Sequence, residues 1–265
     1  MSHIAYLDID LNNPLEIIHL SSKPVLSPSD IGLFDDCGVI PSGVATLESG
    51  YVLYFVGISR SRLAPLISFP GVAMLDGTLD AALRLSRGPL LDRTADDPYA
   101  LGAVNVHFNQ AIGRYEMWYE SFQGWSTASG VPTPWLQIKH ATSKDGLVWE
   151  RKNVLAFPKS PHREYISSPT VLVTGHNYEM YFSFKSGSAY RLGYAYSNDG
   201  LTWSRNDEQV GIAASGSGWD GEEIEYPEVF SHIGQKYLLY CGDGYGKTGF
   251  GIAKWNPALV AGGAE

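Results

Sequence analysis

Internal repetition constrains this chain more than any other feature. Ser143-Lys-Asp-Gly-Leu-Val-Trp-Glu-Arg151 and Ser197-Asn-Asp-Gly-Leu-Thr-Trp-Ser-Arg205 carry serine, aspartate, glycine, leucine, tryptophan and arginine at matching places. The residues ahead of them match too: Leu192-Gly-Tyr-Ala195 resembles Ile138-Lys-His-Ala141, and Gly251-Ile-Ala-Lys-Trp255 echoes the same strand. Each copy reads as an alternating strand, an Asp-Gly turn, and a tryptophan opening the next strand. A Tyr-centred strand recurs as Gly50-Tyr-Val-Leu-Tyr-Phe55, Gly113-Arg-Tyr-Glu-Met-Trp-Tyr119, Asn177-Tyr-Glu-Met-Tyr-Phe182 and Lys236-Tyr-Leu-Leu-Tyr240. Upstream of it stand Pro41-Ser-Gly-Val44, Pro169-Thr-Val171 and Pro227-Glu-Val229, with Asn105-Val106 in that place in the second copy.

Four strands in meander order, repeating every ~40–50 residues, predict the blades of a β-propeller. Proline cannot donate a ladder hydrogen bond, so it belongs on an edge strand, and a blade's innermost strand is such an edge. The spacing predicts one domain over 1–265, with blades at 31–92, 98–156, 164–213 and 222–256. Before them, Ile4–Ile9 and Leu15–Leu20 read as two outer strands. They either complete a ring of four blades or are the incomplete N-terminal blade of a five-bladed one. The expected fold class is therefore all-β, a propeller of four-stranded antiparallel blades. The 16 Tyr, 29 Gly and 15 Pro are what Tyr-rich strands joined by tight turns require.

Charge and composition remove several functions. A net charge of −9 with no Lys/Arg run argues against a nucleic-acid surface, because phosphate neutralisation supplies most of that affinity. No stretch reaches the ~18–20 apolar residues of a membrane-spanning helix, so no membrane insertion is expected. Met1–Asp10 lacks a basic region followed by an apolar core, and Cys37 and Cys241 are too few and too far apart for a disulfide framework. A cytoplasmic location is expected. No His/Cys/Asp cluster has transition-metal spacing, so neither metal nor cofactor is expected. Gly242-Asp-Gly-Tyr-Gly-Lys-Thr248 imitates a phosphate-binding loop, but Cys241 holds the place of its first glycine and a strand follows it.

The ordered set of Ser-x-Asp-Gly-x-x-Trp turns, Asp35-Asp36 opening the first blade and Glu225-Tyr-Pro-Glu-Val-Phe230 opening the fourth resembles the five-bladed propellers of glycoside hydrolase families 32, 43, 62, 68 and 130. More closely, the chain resembles glycosidase-like propeller proteins of bacterial surface-polysaccharide and O-antigen gene clusters. Tyr6-Leu-Asp-Ile-Asp-Leu-Asn-Asn-Pro14, Phe34-Asp-Asp-Cys-Gly-Val-Ile-Pro-Ser42, Gly218-Trp-Asp220 and Gly249-Phe-Gly-Ile252 carry that likeness. Such proteins begin some tens of residues earlier, with inner strands that this chain lacks. The resemblance implies a glycoside hydrolase acting on a sugar or glycoconjugate, inverting as families 43, 62 and 130 do. A non-catalytic carbohydrate-binding or assembly protein and a glycoside phosphorylase are the alternatives.

Hydrolysis of a glycoside needs a protonated carboxyl for the leaving oxygen and a second carboxylate as base or nucleophile. Glu225, two residues before Pro227, matches the glutamate of the family 32 Glu-Cys-Pro-Asp pattern and is the expected acid. Its other reading is a structural glutamate in an acidic loop with Asp220, Glu222, Glu223 and Glu228. Asp36 is the expected base, because the family's base is an inner-strand aspartate three blades before the acid. Asp35 and a plain turn role remain open beside it. The third carboxylate that the resemblance implies before Pro169 is replaced by Ser167-Ser168, with Arg163 just upstream. His107 on the second inner strand is a candidate for a sugar hydroxyl, and Trp125 and Tyr165 for stacking on a pyranose face. Asp220, Glu228, Ser167, Ser168, Asp35 and Arg163 complete the expected substrate-binding set.

Overall fold

The repeated turn closes itself with its own side chains. Asp145 Oδ1 accepts the amides of Leu147 and Val148, each at 2.8 Å, and the Ser143 hydroxyl at 2.9 Å. Trp149 Nε1 returns to the Gly146 carbonyl at 3.1 Å. The second copy repeats the set around Asp199, with Leu201 and Thr202 amides at 2.8 Å and Trp203 Nε1 on the Gly200 carbonyl at 3.1 Å. Gly146 and Gly200 sit at φ 76° and 71°, a left-handed conformation open to glycine and costly to residues with a Cβ.

The structure, a computed structural model, describes residues 1–128, 130–158 and 164–256. The chain divides into two compact units, Met1–Val154 and Leu155–Glu265. In the first, β1 (Leu7–Asp10) and β2 (Asn13–Leu20) form a small sheet. The next four strands, β3 (Gly38–Leu47), β4 (Gly50–Ser59), β5 (Ile67–Leu75) and β6 (Ala82–Arg84), form one meander. A second meander comprises β7 (Leu101–Asn109), β8 (Arg114–Ser126), β9 (Thr133–Ser143) and β10 (Trp149–Leu155), the last ending at the unit boundary. In the second unit, β11 (Ile166–Thr174), β12 (Asn177–Ser186), β13 (Ala189–Ser197) and β14 (Ser204–Arg205) form the third. β15 (Glu225–His232), β16 (Gln235–Cys241) and β17 (Phe250–Lys254) form the fourth, which has three strands among the described residues.

The fold is thus an all-β propeller with four blades, and the expected incomplete blade, β1–β2, is a minor two-stranded extra. The expected strand from Ile4 starts only at Leu7; Ile4 instead bridges Leu26 and joins Val39, Leu53 and Phe55 in a buried cluster. The prolines lie where expected. Pro41, Pro169 and Pro227 sit on β3, β11 and β15, each an edge strand of its sheet. Pairing slips beside each one, so a residue without an amide proton interrupts no ladder.

The second strand of each blade is buried on both faces, which explains its near-continuous apolar run. In the first unit, Val52, Tyr54, Leu101, Val104, Met117 and Tyr119 make one core between the two meanders. In the second, Tyr181, Leu192, Ile224, Val229, Leu238 and Tyr240 do the same. Among the described residues, no helix is long and apolar enough to cross a membrane.

Candidate active site

In the first unit, the segment before β3 is admitted by two glycines. A Cβ on Gly57 would lie 2.4 Å from the Phe34 ring and 2.5 Å from the Asp35 Cβ, and one on Gly71 would lie 2.8 Å from Phe34. Asp35 is fully buried, and its Oδ2 is 2.6 Å from Arg84, which also binds the Ser27 carbonyl. Asp35 thus ties β6 to the loop through Oδ2, while its Oδ1 is buried without a hydrogen-bond partner. Its neighbour faces the other way. Asp36 Oδ2 accepts the Gly32 amide at 2.9 Å, while Oδ1 has no hydrogen-bond partner. The Gly32 amide, then the Cys37 thiol, hold its carboxyl below the usual carboxylate range. Asp36 opens on a cleft of about 490 Å³ walled by Phe34, Cys37, Ser59, Arg60 and Arg93 and floored by Phe69.

In the second unit, Glu225 begins β15 and is fully buried, with neither carboxyl oxygen hydrogen-bonded. Burial pushes its carboxyl up to about 8, and the charge of Glu223 adds to the effect. The Tyr245 amide and Lys185 pull the other way without matching it, the amide standing outside hydrogen-bonding geometry. Glu223 is fixed: its carboxylate accepts the Tyr190 amide at 3.1 Å and the Gly244 amide at 3.0 Å. Asp243 in turn accepts the amides of Glu222 and Glu223 at 2.9 and 2.8 Å. This joins the loop before β15 to the turn between β16 and β17, where Gly244, Tyr245 and Gly246 are left-handed in succession. That turn leads into strand β17, as its sequence implies, and offers no helix terminus to an anion.

Aromatic rings and a cation surround this glutamate. Lys185 Nζ lies 5.3 Å from the Tyr165 ring and 4.7 Å from the Tyr190 ring, and Tyr245 meets Tyr190 edge-on at 5.7 Å. Cys241 pairs with Glu225 across the β15–β16 ladder, and its thiol is pushed up by burial and by that carboxyl. Sequence reasoning found Tyr165 but not Lys185, Tyr190 or Tyr245. No motif marks them, and only the hairpin register places them near β15.

The remaining expected residues divide. Ser167 stands at the β11 bulge as Glu225 does at the β15 bulge: Ser167 pairs Ser183 before the slip to Thr170, and Glu225 pairs Cys241 before the slip to Glu228. The skipped residues Ser168 and Tyr226 have φ of 50° and 54°. The third blade thus has a buried serine where the fourth has its glutamate. Glu228 keeps an exposed side chain, yet the atoms crowded around it push its carboxyl up to about 7.

Asp220 is engaged by its neighbours. Its two oxygens are taken by Ser215 at 2.7 Å and Tyr240 at 3.1 Å, and its neighbour Trp219 packs into space left by Gly242 and Gly251. His107 lies on β7 opposite Glu116, near the turn into β8 and far from the strand start where Asp36 lies in its own blade. Trp125 ends β8, half-buried against Phe122 at 5.8 Å. Arg163 lies outside the described residues. Among the described residues, no group of three or more His, Cys, Asp or Glu side chains is arranged to hold a metal.

No family model matches the chain. It is 35% identical over 254 residues to two proteins of Mycobacterium tuberculosis, the uncharacterized proteins MT1551 and Rv1502, covering 95% of this chain and 83% of each of them. Among solved structures, a glycoside hydrolase superposes with a TM-score of 0.67 at 17% identity, over 90% of this chain and 75% of that one. The endo-arabinase of Bacteroides thetaiotaomicron superposes with a TM-score of 0.65 at 12% identity, over 96% and 94%. A thermostable family-43 glycoside hydrolase gives 0.59 at 16% identity, over 82% and 72%. At such identities the likeness is one of fold.

Proposed function

The chain belongs to one family with the Mycobacterium tuberculosis proteins MT1551 and Rv1502, and from there we propose that it is a glycoside hydrolase acting on a sugar or glycoconjugate. One observation carries this reading. Glu225 is a buried carboxyl with both oxygens unpartnered, raised to about 8 and therefore protonated at neutral pH. A general acid must be in that state before the leaving oxygen arrives. Asp36, held below the usual range with Oδ1 unpartnered, is ionised at the same pH and suits a general base.

In the proposed step Glu225 gives its proton to the glycosidic oxygen as the bond to the anomeric carbon breaks. A water attacks that carbon from the other face and loses its proton to a carboxylate base. The product anomer is inverted, and each carboxyl regains its state by proton exchange with solvent.

The pH profile follows from the two directions. Activity falls as pH rises through about 8, when Glu225 loses its proton, and falls again below the ordinary carboxylate range, when Asp36 gains one. The test is turnover of nitrophenyl glycosides and oligosaccharides by the wild type, Glu225→Gln and Asp36→Asn, with proton NMR of the first anomer released. Each variant is expected to lose about 10²–10⁴-fold in kcat. Unchanged turnover by Glu225→Gln removes the acid. Sugar 1-phosphate formed only with added phosphate would instead identify a phosphorylase.

Ser167 favours a second reading, a carbohydrate-binding protein on the same scaffold, because a hydroxyl there cannot supply the charge of a third carboxylate. Sugar binding without turnover in the wild type would select it.

A further inference from the structure

The arginines of the described residues are mostly spoken for. Arg84, Arg87, Arg114, Arg151 and Arg205 each pair with a carboxylate. Arg191 donates to the carbonyls of Tyr190 and Glu222. Arg60, Arg62 and Arg93 have no carboxylate within 4.0 Å among the described residues, and of these Arg60 and Arg93 wall the cleft on which Asp36 opens. Two exposed guanidinium groups share this cleft with one carboxylate, so it is locally positive in a chain of net charge −9.

The two are placed differently. Arg93 is held in position: Nε donates to the Tyr99 carbonyl at 3.1 Å and the guanidinium lies 5.2 Å from the Phe69 ring. Asp92 is engaged locally, accepting the Arg93 backbone amide at 2.7 Å. Arg60 continues β4 past Ser59 and is exposed, with Ser61 beside it, so the cleft wall also offers two hydroxyls. Asp36 is the carboxylate that lines the cleft. Two guanidinium groups against one carboxylate leave a single positive charge in excess, the amount one oxyanion neutralises.

We propose that this cleft seats an oxyanion substituent of the glycan, a carboxylate or a phosphate ester on the sugar, held by Arg60 and Arg93 beside Asp36. Guanidinium groups match the planar, forked geometry of such anions, and Ser59 and Ser61 supply further donors. The substrate class is then acidic rather than neutral sugars. This rests on the reading of the Asp36 cleft as the sugar site, and it goes beyond that reading in naming the charge of the sugar.

The test is calorimetric titration of the full chain with oligogalacturonates, their neutral methyl esters, hexose 6-phosphates and inorganic phosphate. The expected result is binding of an acidic sugar that weakens with salt and falls about 10–100-fold in Arg60→Gln or Arg93→Gln, the value of one charge-assisted contact. Arg93→Lys keeps the charge and recovers part of the loss, which separates charge from packing on Phe69. A preference for oligogalacturonate over hexose 6-phosphate identifies a carboxylate, and the reverse a phosphate ester. Equal affinity for acid and methyl ester, failure of every acidic sugar to bind, or Arg-dependent binding of inorganic phosphate alone overturns the proposal. Turnover of neutral glycosides that depends on Glu225 but not on either arginine sinks this inference and leaves the hydrolase standing. Arg-dependent binding of acidic sugars without turnover does the opposite.

Discussion

Replacing Glu225 by glutamine should make the protein more stable, and increasingly so as the pH rises. In an unfolded chain this carboxyl titrates near 4.5, whereas in the fold it titrates near 8. Below 4.5 both states hold the proton and the residue has no pH-dependent effect. Between the two values the unfolded state releases the proton while the fold keeps it, so stability falls by 1.36 kcal/mol for each unit of pH. The accumulated cost is about 3 kcal/mol at pH 7 and about 5 kcal/mol above pH 8. Glutamine has nearly the shape of the protonated acid and never ionises. It carries the same burden of an unpartnered polar end at pH 4.5, so the two proteins should match there. For domains of this size about 3 kcal/mol corresponds to a rise of roughly 6–12 °C in Tm. The assay is thermal unfolding of wild type and Glu225→Gln at half-unit steps from pH 4.5 to 9. A gap in Tm that widens up to pH 8 and then levels is expected. A constant gap, or a variant less stable than the wild type at pH 8, would refute the argument that a neutral buried carboxyl is maintained at this site. A stabilised variant that is also inactive would show the energetic cost of keeping an acid ready.

Two structural predictions stand beside it. Asp97 and Lys139 are 1% and 2% exposed and 2.8 Å apart, with Arg151, Tyr119 and Ser121 completing the carboxylate's partners. Asp97→Asn or Lys139→Met alone should cost about 3–5 kcal/mol in urea unfolding, because the surviving charge is left buried, and a much smaller loss would show that water reaches the pair. Asp145→Ala and Asp199→Ala each remove an acceptor shared by two backbone amides and should each cost about 1–2 kcal/mol, nearly additively since they lie in different units. Their carboxyls are held below the usual range by those amides, so this stabilisation is present at neutral pH and is lost as the pH falls through the carboxylate range; wild type and variants should converge in acid, as unfolding at pH 3 and 7 would show.

Short-range chemistry was legible without coordinates. An Asp-Gly turn is closed by atoms within six residues of each other, so Ser143–Trp149 and Ser197–Trp203 specify the same turn wherever they occur. Prolines that cannot donate to a ladder identified the edge strands β3, β11 and β15, and the repeat period identified the blades. Glu225 was legible as well, through its distance from Pro227, because the bulge that aims it is made by adjacent residues.

Partnership between distant residues was not legible. Asp35 and Asp36 are neighbours of one chemistry, yet Arg84, 49 positions away, takes the first and leaves the second facing a cleft. Asp220 read as one more acid in an acidic loop until Ser215 and Tyr240 were seen to occupy both its oxygens. His107 lies on the inner strand of its blade, near the turn that ends it. Arg60 and Arg93 carry no motif, and only the fold brings both into the cleft with Asp36, which no reading of composition reveals. The sequence by itself determined the repeated blades, their turns and the bulge that carries Glu225, because those depend on neighbours along the chain. Only the tertiary structure decided which carboxylates are neutralised, which are buried without a partner and which cations remain free, because charge and burial are set by atoms that meet through space.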